Sequence, residues 1–296
     1  MPRMVREAGG TRGRLAPVAS FRYVVVDVFT DRPLAGNQLA VFTDARQIPE
    51  ELLQPLAREL NFSETVFVLP PSEDGHVRLR IFTPTIELPF AGHPILGSAF
   101  VLGAPLQLIE IGLETGAGTV PVSLERDGDR IVFGRMQQPL PTWRAYERGD
   151  ELLEALAVER SEVPVELYDL GPRHVYVGLG DEKQVGRLEP DLVALARHPV
   201  GVNCFAGAGE RWKLRMFAPA LGVSEDPATG SAAGPLAVHL ARHGRIAFGA
   251  EIEIAQGVEI GRPSTLYARA EGSEAALERV EVGGSAVVVA RGEFRL

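Results

Sequence analysis

Glu64, His93, Asp226 and Ser231, with Gly92 and Gly230, have residue types and neighbours suited to acid–base work on a small anion. Glu64 stands between Ser63 and Thr65, where the apolar run Thr65–Leu69 begins, and Phe62 lies just behind it. A carboxyl among such groups has its pKa raised, which suits a proton carrier near neutrality. His93 follows Gly92 in Ala91-Gly92-His93-Pro94, and Asp226 precedes Pro227, Thr229, Gly230 and Ser231. His93, Asp226 and Ser231 can hydrogen-bond polar substituents, and a glycine lets the backbone approach a ligand closely. Each position also has an ordinary structural reading. Glu64 fits a solvated strand edge, Asp226 an N-cap or Asx turn, His93 a cap or core residue, and Ser231 an N-cap.

Both glycines are placed to open helices. From Gly92 a small-residue helix runs to Gly103, with Leu96, Ala99 and Phe100 on one face. From Gly230 another runs to Gly244, with Ala233, Leu236, Ala237 and Leu240 on one face. A helix start presents free N–H groups and a partial positive charge, and so favours an anion. The segments ahead of the two helices echo each other: Arg80-Ile81-Phe82-Thr83-Pro84 returns as Arg215-Met216-Phe217-Ala218-Pro219. Strand, Pro, loop, Gly, helix and Gly, twice in that order, point to two related halves, with a crossing at 134–141. Such halves can set two helix starts face to face around a small carboxylate.

The rest of the chain reads mostly as short strands. They are expected at Phe21–Phe29, Gln38–Phe42, Thr65–Leu69, Val77–Phe82, Leu106–Leu113, Arg130–Met136, Val175–Leu179, Trp212–Phe217 and Ala286–Ala290. Other helices are expected after Pro49, over Asp150–Val158 and over Pro190–Arg197. Many strands and few helices, with no regular βαβ alternation, predict an α+β fold. Residues 1–19 carry four arginines against Glu7 and have no apolar signal core, so they read as a separate flexible basic extension.

Composition narrows the function. Thirty Lys+Arg against 39 Asp+Glu give a formal charge of −9, which argues against a nucleic-acid partner. No apolar run approaches the roughly 18 residues that span a bilayer, so no membrane span is expected. One cysteine, Cys204, excludes an internal disulfide and any multi-cysteine metal site, and fits a reducing cytoplasm. It lies in an apolar stretch and reads as a buried small hydrophobe. Asp74 and His76 have no third ligand nearby. His239 and His243 are four apart without the glutamate of a metalloprotease pair, and read as surface residues favoured by the dipole at a helix C-terminus. No metal site is therefore expected. Dinucleotide, P-loop and nucleophile-elbow motifs do not occur.

Four runs carry a resemblance: VDVFTDRPLAGNQLAVF (26–42), NFSETVFV (61–68), RIFTPTIELPFAGHPILG (80–97) and MFAPALGVSEDPATGSAAG (216–234). In order, and over nearly the whole of 20–296, they resemble the PhzF family of phenazine-biosynthesis-like isomerases. The resemblance implies a diaminopimelate-epimerase-like α+β fold of two pseudo-symmetric domains, each a barrel-like sheet around a central helix, with the site between them. Domains are expected at 20–137 and 138–283, with strand 284–296 returning to the first. It also implies Glu64 as the acid–base residue, Asp226 and His93 as further catalytic residues, and Gly92, Gly230 and Ser231 as substrate contacts. No cofactor, a homodimer and a small carboxylate-bearing substrate are likewise implied. The founding reaction of the family moves a proton within a dihydro-hydroxyanthranilate.

Two features depart from the family pattern: Ile95, where threonine is usual after Gly-His-Pro, and the long arginine-bearing N-terminus. Related racemases carry thiols just before the two helix starts. Ala91 and Thr229 occupy those positions here, which excludes two-thiol racemisation. The favoured expectation is a cofactor-free isomerase in which Glu64 moves one proton. The alternatives are a two-base racemase or lyase using Glu64 and Asp226, and a non-catalytic binding protein on the same fold.

Overall fold

The computed structural model describes residues 19–296, so the extension expected at 1–19 lies outside the described residues apart from Ala19. The chain opens with β1 (Ser20–Val28), β2 (Asn37–Phe42), α1 (Glu50–Leu60), β3 (Glu64–Leu69), β4 (Val77–Phe82), β5 (Glu87–Leu88) and α2 (Gly92–Leu106). Then come β6 (Glu110–Thr115), β7 (Gly118–Asp127), β8 (Arg130–Gln137), β9 (Thr142–Ala145) and α3 (Gly149–Ala155). They are followed by β10 (Glu166–Asp169), β11 (Arg173–Gly178), α4 (Glu182–Gly186), α5 (Leu192–Leu195), β12 (Gly201–Ala208) and β13 (Arg211–Ala218). The last elements are β14 (Val223–Asp226), α6 (Gly230–Arg242), β15 (Glu251–Gln256), β16 (Ser264–Gly272), β17 (Leu277–Gly284) and β18 (Ala286–Arg295).

One order of strand pairing runs twice. β1–β2 is antiparallel, β2–β3 parallel, β3–β4 and β4–β5 antiparallel, β4–β6 parallel, and β6–β7–β8 antiparallel. The same series links β10 to β17: β10–β11 antiparallel, β11–β12 parallel, β12–β13 and β13–β14 antiparallel, β13–β15 parallel, β15–β16–β17 antiparallel. The registers agree with the echo, since Thr65 faces Phe82 and Val202 faces Phe217. Glu64 in the first series thus corresponds to Gly201 in the second. Strand β8 joins β17, β9 pairs with β10, and β18 pairs with β1.

Each series encloses a helix. Helix α2 packs on β1, β2, β6, β7 and β8, and α6 on β15, β16 and β17. Both helices are buried on nearly every face, as their apolar, small-residue sequences require of a helix surrounded by strands. Leu96 and Leu236 are wholly buried, and each contributes roughly 1.5–3 kcal/mol through the apolar surface it removes from water. Two smaller clusters lie outside this core, one under α1 (Leu53, Leu56, with Phe42 and Phe67) and one around Leu152, Leu195 and Val202. Among the described residues no helix is long and apolar enough to cross a membrane.

Several expected boundaries are corrected. Helix α2 does not close at Gly103 but runs to Leu106, where Gln107 takes the left-handed conformation (φ 55°). Gly103 serves packing instead, because a Cβ there would sit 2.5 Å from Leu124 Cδ1 on β7. The strand expected over Leu106–Leu113 accordingly begins only at Glu110. The helix expected over Pro190–Arg197 shrinks to one turn capped by Asp191, whose side chain accepts from the N–H groups of Val193 and Ala194. Ile95 is fully buried in the core around α2 and so faces the barrel interior.

Candidate active site

The two helix starts meet. A Cβ on Gly92 would lie 2.6 Å from the Gly230 carbonyl carbon and the Ser231 nitrogen, and one on Gly230 would lie 3.0 Å from the His93 nitrogen. Gly92 must be glycine for this approach, and at Gly230 a methyl group would be tight. Neither helix is capped by the side chain of the residue before it, Ala91 or Thr229. Their leading N–H groups therefore face one another with no capping acceptor, and the positive ends of two helix dipoles converge.

Glu64, Gly92, His93, Asp226, Gly230 and Ser231 all line one cavity of about 120 Å³. Ile86, Leu88, Met216, Leu221 and Val223 supply apolar walls. His93 and Ser231 are each the second residue of their helix.

Glu64 is the first residue of β3 and pairs with Leu39 of β2. Burial pushes its pKa well above the ordinary carboxylate range, and the negative charge of Asp226 adds to the rise. Its Oε2 lies 3.3 Å from His93 Nε2, yet neither atom has a hydrogen-bond partner among the described residues. Burial also pulls His93 down to about 3, opposed by a hydrogen bond with the Gln38 backbone, so the ring is neutral and the contact is not an ion pair. Asp226 ends β14 and is pushed up to about 6 by burial, against hydrogen bonds that pull it down. Thr229 Oγ1 donates to its Oδ2 at 2.6 Å and Asn37 Nδ2 to its Oδ1 at 2.9 Å.

Residues that the sequence reading did not single out hold these groups in place. Asn37 Nδ2 also donates to the Ala228 carbonyl (2.9 Å), and its Oδ1 accepts from Ser63 Oγ (2.9 Å). Gln256 Nε2 donates to the Asp226 carbonyl (2.8 Å), and its Oε1 accepts from the Thr229 N–H (3.0 Å). Gln138, on the segment between β8 and β9, donates to the Gly230 carbonyl at 2.8 Å. Gly234 leaves room for it, since a Cβ there would run into the amide. On the far wall His174 Nε2 lies 3.0 Å from Ser231 Oγ. Asn37 lies within a run already marked by its resemblance, directly after Gly36, whose positive φ (66°) makes the turn into β2. That turn was the available signal; the partner, Asp226, is too distant in sequence for spacing to show.

The reading of His239 as a surface residue is corrected: it is fully buried. Its ring and that of His243 face Glu166 of β10, with Nδ1 and Nε2 at 3.3 and 3.0 Å from Oε2. The carboxylate absent between the two histidines thus comes from another strand, and the three groups have the donor set of a metal site. Arg242 Nη1, however, is 2.6 Å from the same oxygen, so Glu166 already carries a paired cation.

The family profile for phenazine biosynthesis-like proteins, PhzC-PhzF, matches residues 26–292. The chain belongs to this family. A trans-2,3-dihydro-3-hydroxyanthranilate isomerase of Pseudomonas aeruginosa is 55% identical over 276 residues, which cover 93% of this chain and 99% of that protein. A PhzF-family phenazine biosynthesis protein from Bacillus anthracis superposes with a TM-score of 0.82 at 24% identity, over 93% of this chain and 99% of the other. A hydroxyproline epimerase from Agrobacterium vitis does so with a TM-score of 0.63 at 13% identity, over 94% and 91%. These two likenesses concern the fold, an α+β architecture shared by PhzF proteins and proline-racemase-like enzymes. The identity to the Pseudomonas enzyme makes this chain a PhzF-type isomerase.

Proposed function

We propose that this enzyme isomerises a small ring carboxylate of the trans-2,3-dihydro-3-hydroxyanthranilate type by moving one proton with Glu64. As a carboxylate Glu64 takes a proton from an activated ring carbon; as the acid it returns that proton to another carbon, and product and substrate hold the same atoms. The observation that carries the reading is the Glu64 carboxyl itself. It is buried against the cavity, its pKa is raised, and its Oε2 has no partner among the described residues. A pKa nearer neutrality lets one group serve as both base and acid. The N–H groups at Gly92 and Gly230 and the Ser231 hydroxyl bind the substrate carboxylate. His93 and Asp226 hydrogen-bond its polar substituents and steady the charge that develops.

The repeated pairing supports one proton carrier rather than two, because Gly201 occupies the position that matches Glu64. A two-base reading draws support from Asp226, which lines the same cavity and titrates near 6. Turnover of trans-2,3-dihydro-3-hydroxyanthranilate in deuterium oxide separates them. One shuttling carboxyl gives partial retention of the substrate hydrogen at the new carbon, whereas two bases give complete exchange from solvent. Absence of turnover with this substrate overturns the assignment of the reaction. The same reading divides the chain into halves at 20–137 and 138–283, with 284–296 completing the first, and makes the enzyme a homodimer. Light scattering that finds a single 31.9 kDa species at micromolar concentration counts against the dimer.

A further inference from the structure

Ser231 has one hydroxyl proton, and the structure determines where it points. Its Oγ lies 3.0 Å from Nε2 of His174, a buried residue of β11. The other ring nitrogen, Nδ1, faces Asn203 Nδ2 at 3.3 Å. The Asn203 amide is oriented by two backbone carbonyls, Gly201 at 3.0 Å and Val175 at 3.3 Å, which require its nitrogen and not its oxygen on that side. A neutral imidazole carries one N–H. Nδ1 looks at a donor and at no acceptor among the described residues, so the proton belongs on Nε2. Ser231 Oγ then accepts from His174 and keeps its own proton for the cavity. Burial pulls His174 down to about 3, so the ring stays neutral over the working pH range.

We propose that His174 is a positioning residue: held as the Nε2–H tautomer by Asn203, it turns the Ser231 hydroxyl into an obligatory donor to the anionic group of the substrate. This rests on the proposed reaction for the identity of the anion, not for the geometry. Gly201 is part of the device. A Cβ there would sit 2.6 Å from His174 Nδ1, so the position that carries the proton shuttle in the first series is left empty in the second to admit the imidazole. The duplicated frame is thereby specialised, with proton transfer on one side and anion orientation on the other.

The test uses ¹⁵N-histidine-labelled enzyme and anthranilate, a ring carboxylate that offers no isomerisable carbon. Long-range ¹H–¹⁵N correlation, with the His174 signal assigned by its loss in His174→Gln, is expected to show the Nε2–H tautomer unchanged from pH 6 to 9. Anthranilate binding by calorimetry is expected to weaken about ten- to 150-fold in His174→Phe and in Ser231→Ala, the range for one hydrogen bond to a charged group. The double variant should bind no more weakly than either single one, and His174→Gln, which keeps an N–H donor, should stay within about threefold of wild type. An Nδ1–H tautomer, additive losses in the double variant, or no anthranilate binding by the wild type overturns the proposal. The assignment needs only one folded substitution at His174, Gln or Phe, and the tautomer itself is read on the wild-type chain. Coupled binding losses in an enzyme that does not turn over the dihydro-hydroxyanthranilate would sink the isomerase assignment and not this one.

Discussion

Glu64 Oε2 and His93 Nε2 lie 3.3 Å apart, and neither makes a hydrogen bond among the described residues. Two buried polar atoms left in this way cost stability, of the order of 1–3 kcal/mol each. A bound substrate that offers a hydrogen-bonding group to either atom, as proposed above, would offset the cost. Strand β3 and helix α2 place them there independently, one from the parallel pairing with β2 and the other from the start of a buried helix.

Replacing Glu64 by Gln keeps size and an acceptor oxygen but removes the group proposed to carry the proton. The expected result is a fall in kcat of at least ~10²–10⁴, the usual loss for a positioned acid–base. Substrate or anthranilate binding should remain within roughly tenfold of wild type, or ~1.4 kcal/mol. Steady-state kinetics with calorimetry decide it, and a variant that retains a tenth of the wild-type kcat contradicts the role of Glu64.

The pH profile follows from Glu64 and its carboxyl neighbour Asp226. A base must be ionised in the free enzyme, so kcat/KM should climb as pH rises through the apparent pKa of the site. Burial and the Asp226 charge both raise Glu64, so that limb should lie above the ordinary carboxylate value of 4.5. Asp226→Asn removes the negative neighbour and should shift the limb to lower pH, even though weaker binding lowers the whole profile. A limb that stays put in the variant means that the two carboxyls do not interact.

Asn37→Ala should destabilise the fold by about 2–3 kcal/mol. It strips the donor from Asp226 Oδ1 and from the Ala228 carbonyl and the acceptor from Ser63 Oγ, leaving buried polar atoms unpaired. Urea denaturation measures the loss. A change below about 0.5 kcal/mol would show that water replaces the amide.

The sequence carried the parts of this site that depend on local chemistry. A glutamate at the head of an apolar strand, glycines at two helix starts and the echoed strand–Pro–loop–Gly order could all be read in one dimension. The Asn37, Gln256 and His174 contacts could not, because each is made across strands that the fold brings together from distant segments. His239 was misread for a related reason. A histidine near a helix end is ordinarily solvated, and its burial here depends on Glu166 and Tyr168 arriving from β10. Gly103 looked like a helix stop because the sequence does not reveal how closely Leu124 of β7 approaches.

Gly92→Ala tests the meeting of the two helix starts. Its methyl group would lie 2.6 Å from backbone atoms of Gly230 and Ser231, and backbone cannot rotate away as a side chain can. The helices must part, at a cost of about 1–3 kcal/mol typical of overpacking. On the proposed binding mode, in which both helix starts give N–H groups to one anion, anthranilate affinity should fall with the stability. Alanine at Gly118, where open space surrounds the glycine, supplies a contrast: its strain is conformational (φ 107°) and should leave affinity unchanged.

Cys204→Ser addresses the thiol chemistry of related racemases. The only sulfhydryl of the chain is fully buried on β12, packs with Val175, Val202 and Phe217, and is pushed up to about 12 by burial. It lies in neither helix-start loop, where Ala91 and Thr229 precede the two glycines. A thiol in that state is neither ionised nor exposed, and both are required of a nucleophile or a base. The serine variant should therefore keep kcat and KM within about twofold, while losing roughly 1–3 kcal/mol of stability for placing a hydroxyl among apolar groups. Kinetics and thermal melting on the same preparation separate the two effects. Loss of turnover in a folded Cys204→Ser enzyme, beside an active Glu64→Gln enzyme, would transfer the proton chemistry from the carboxyl to the thiol.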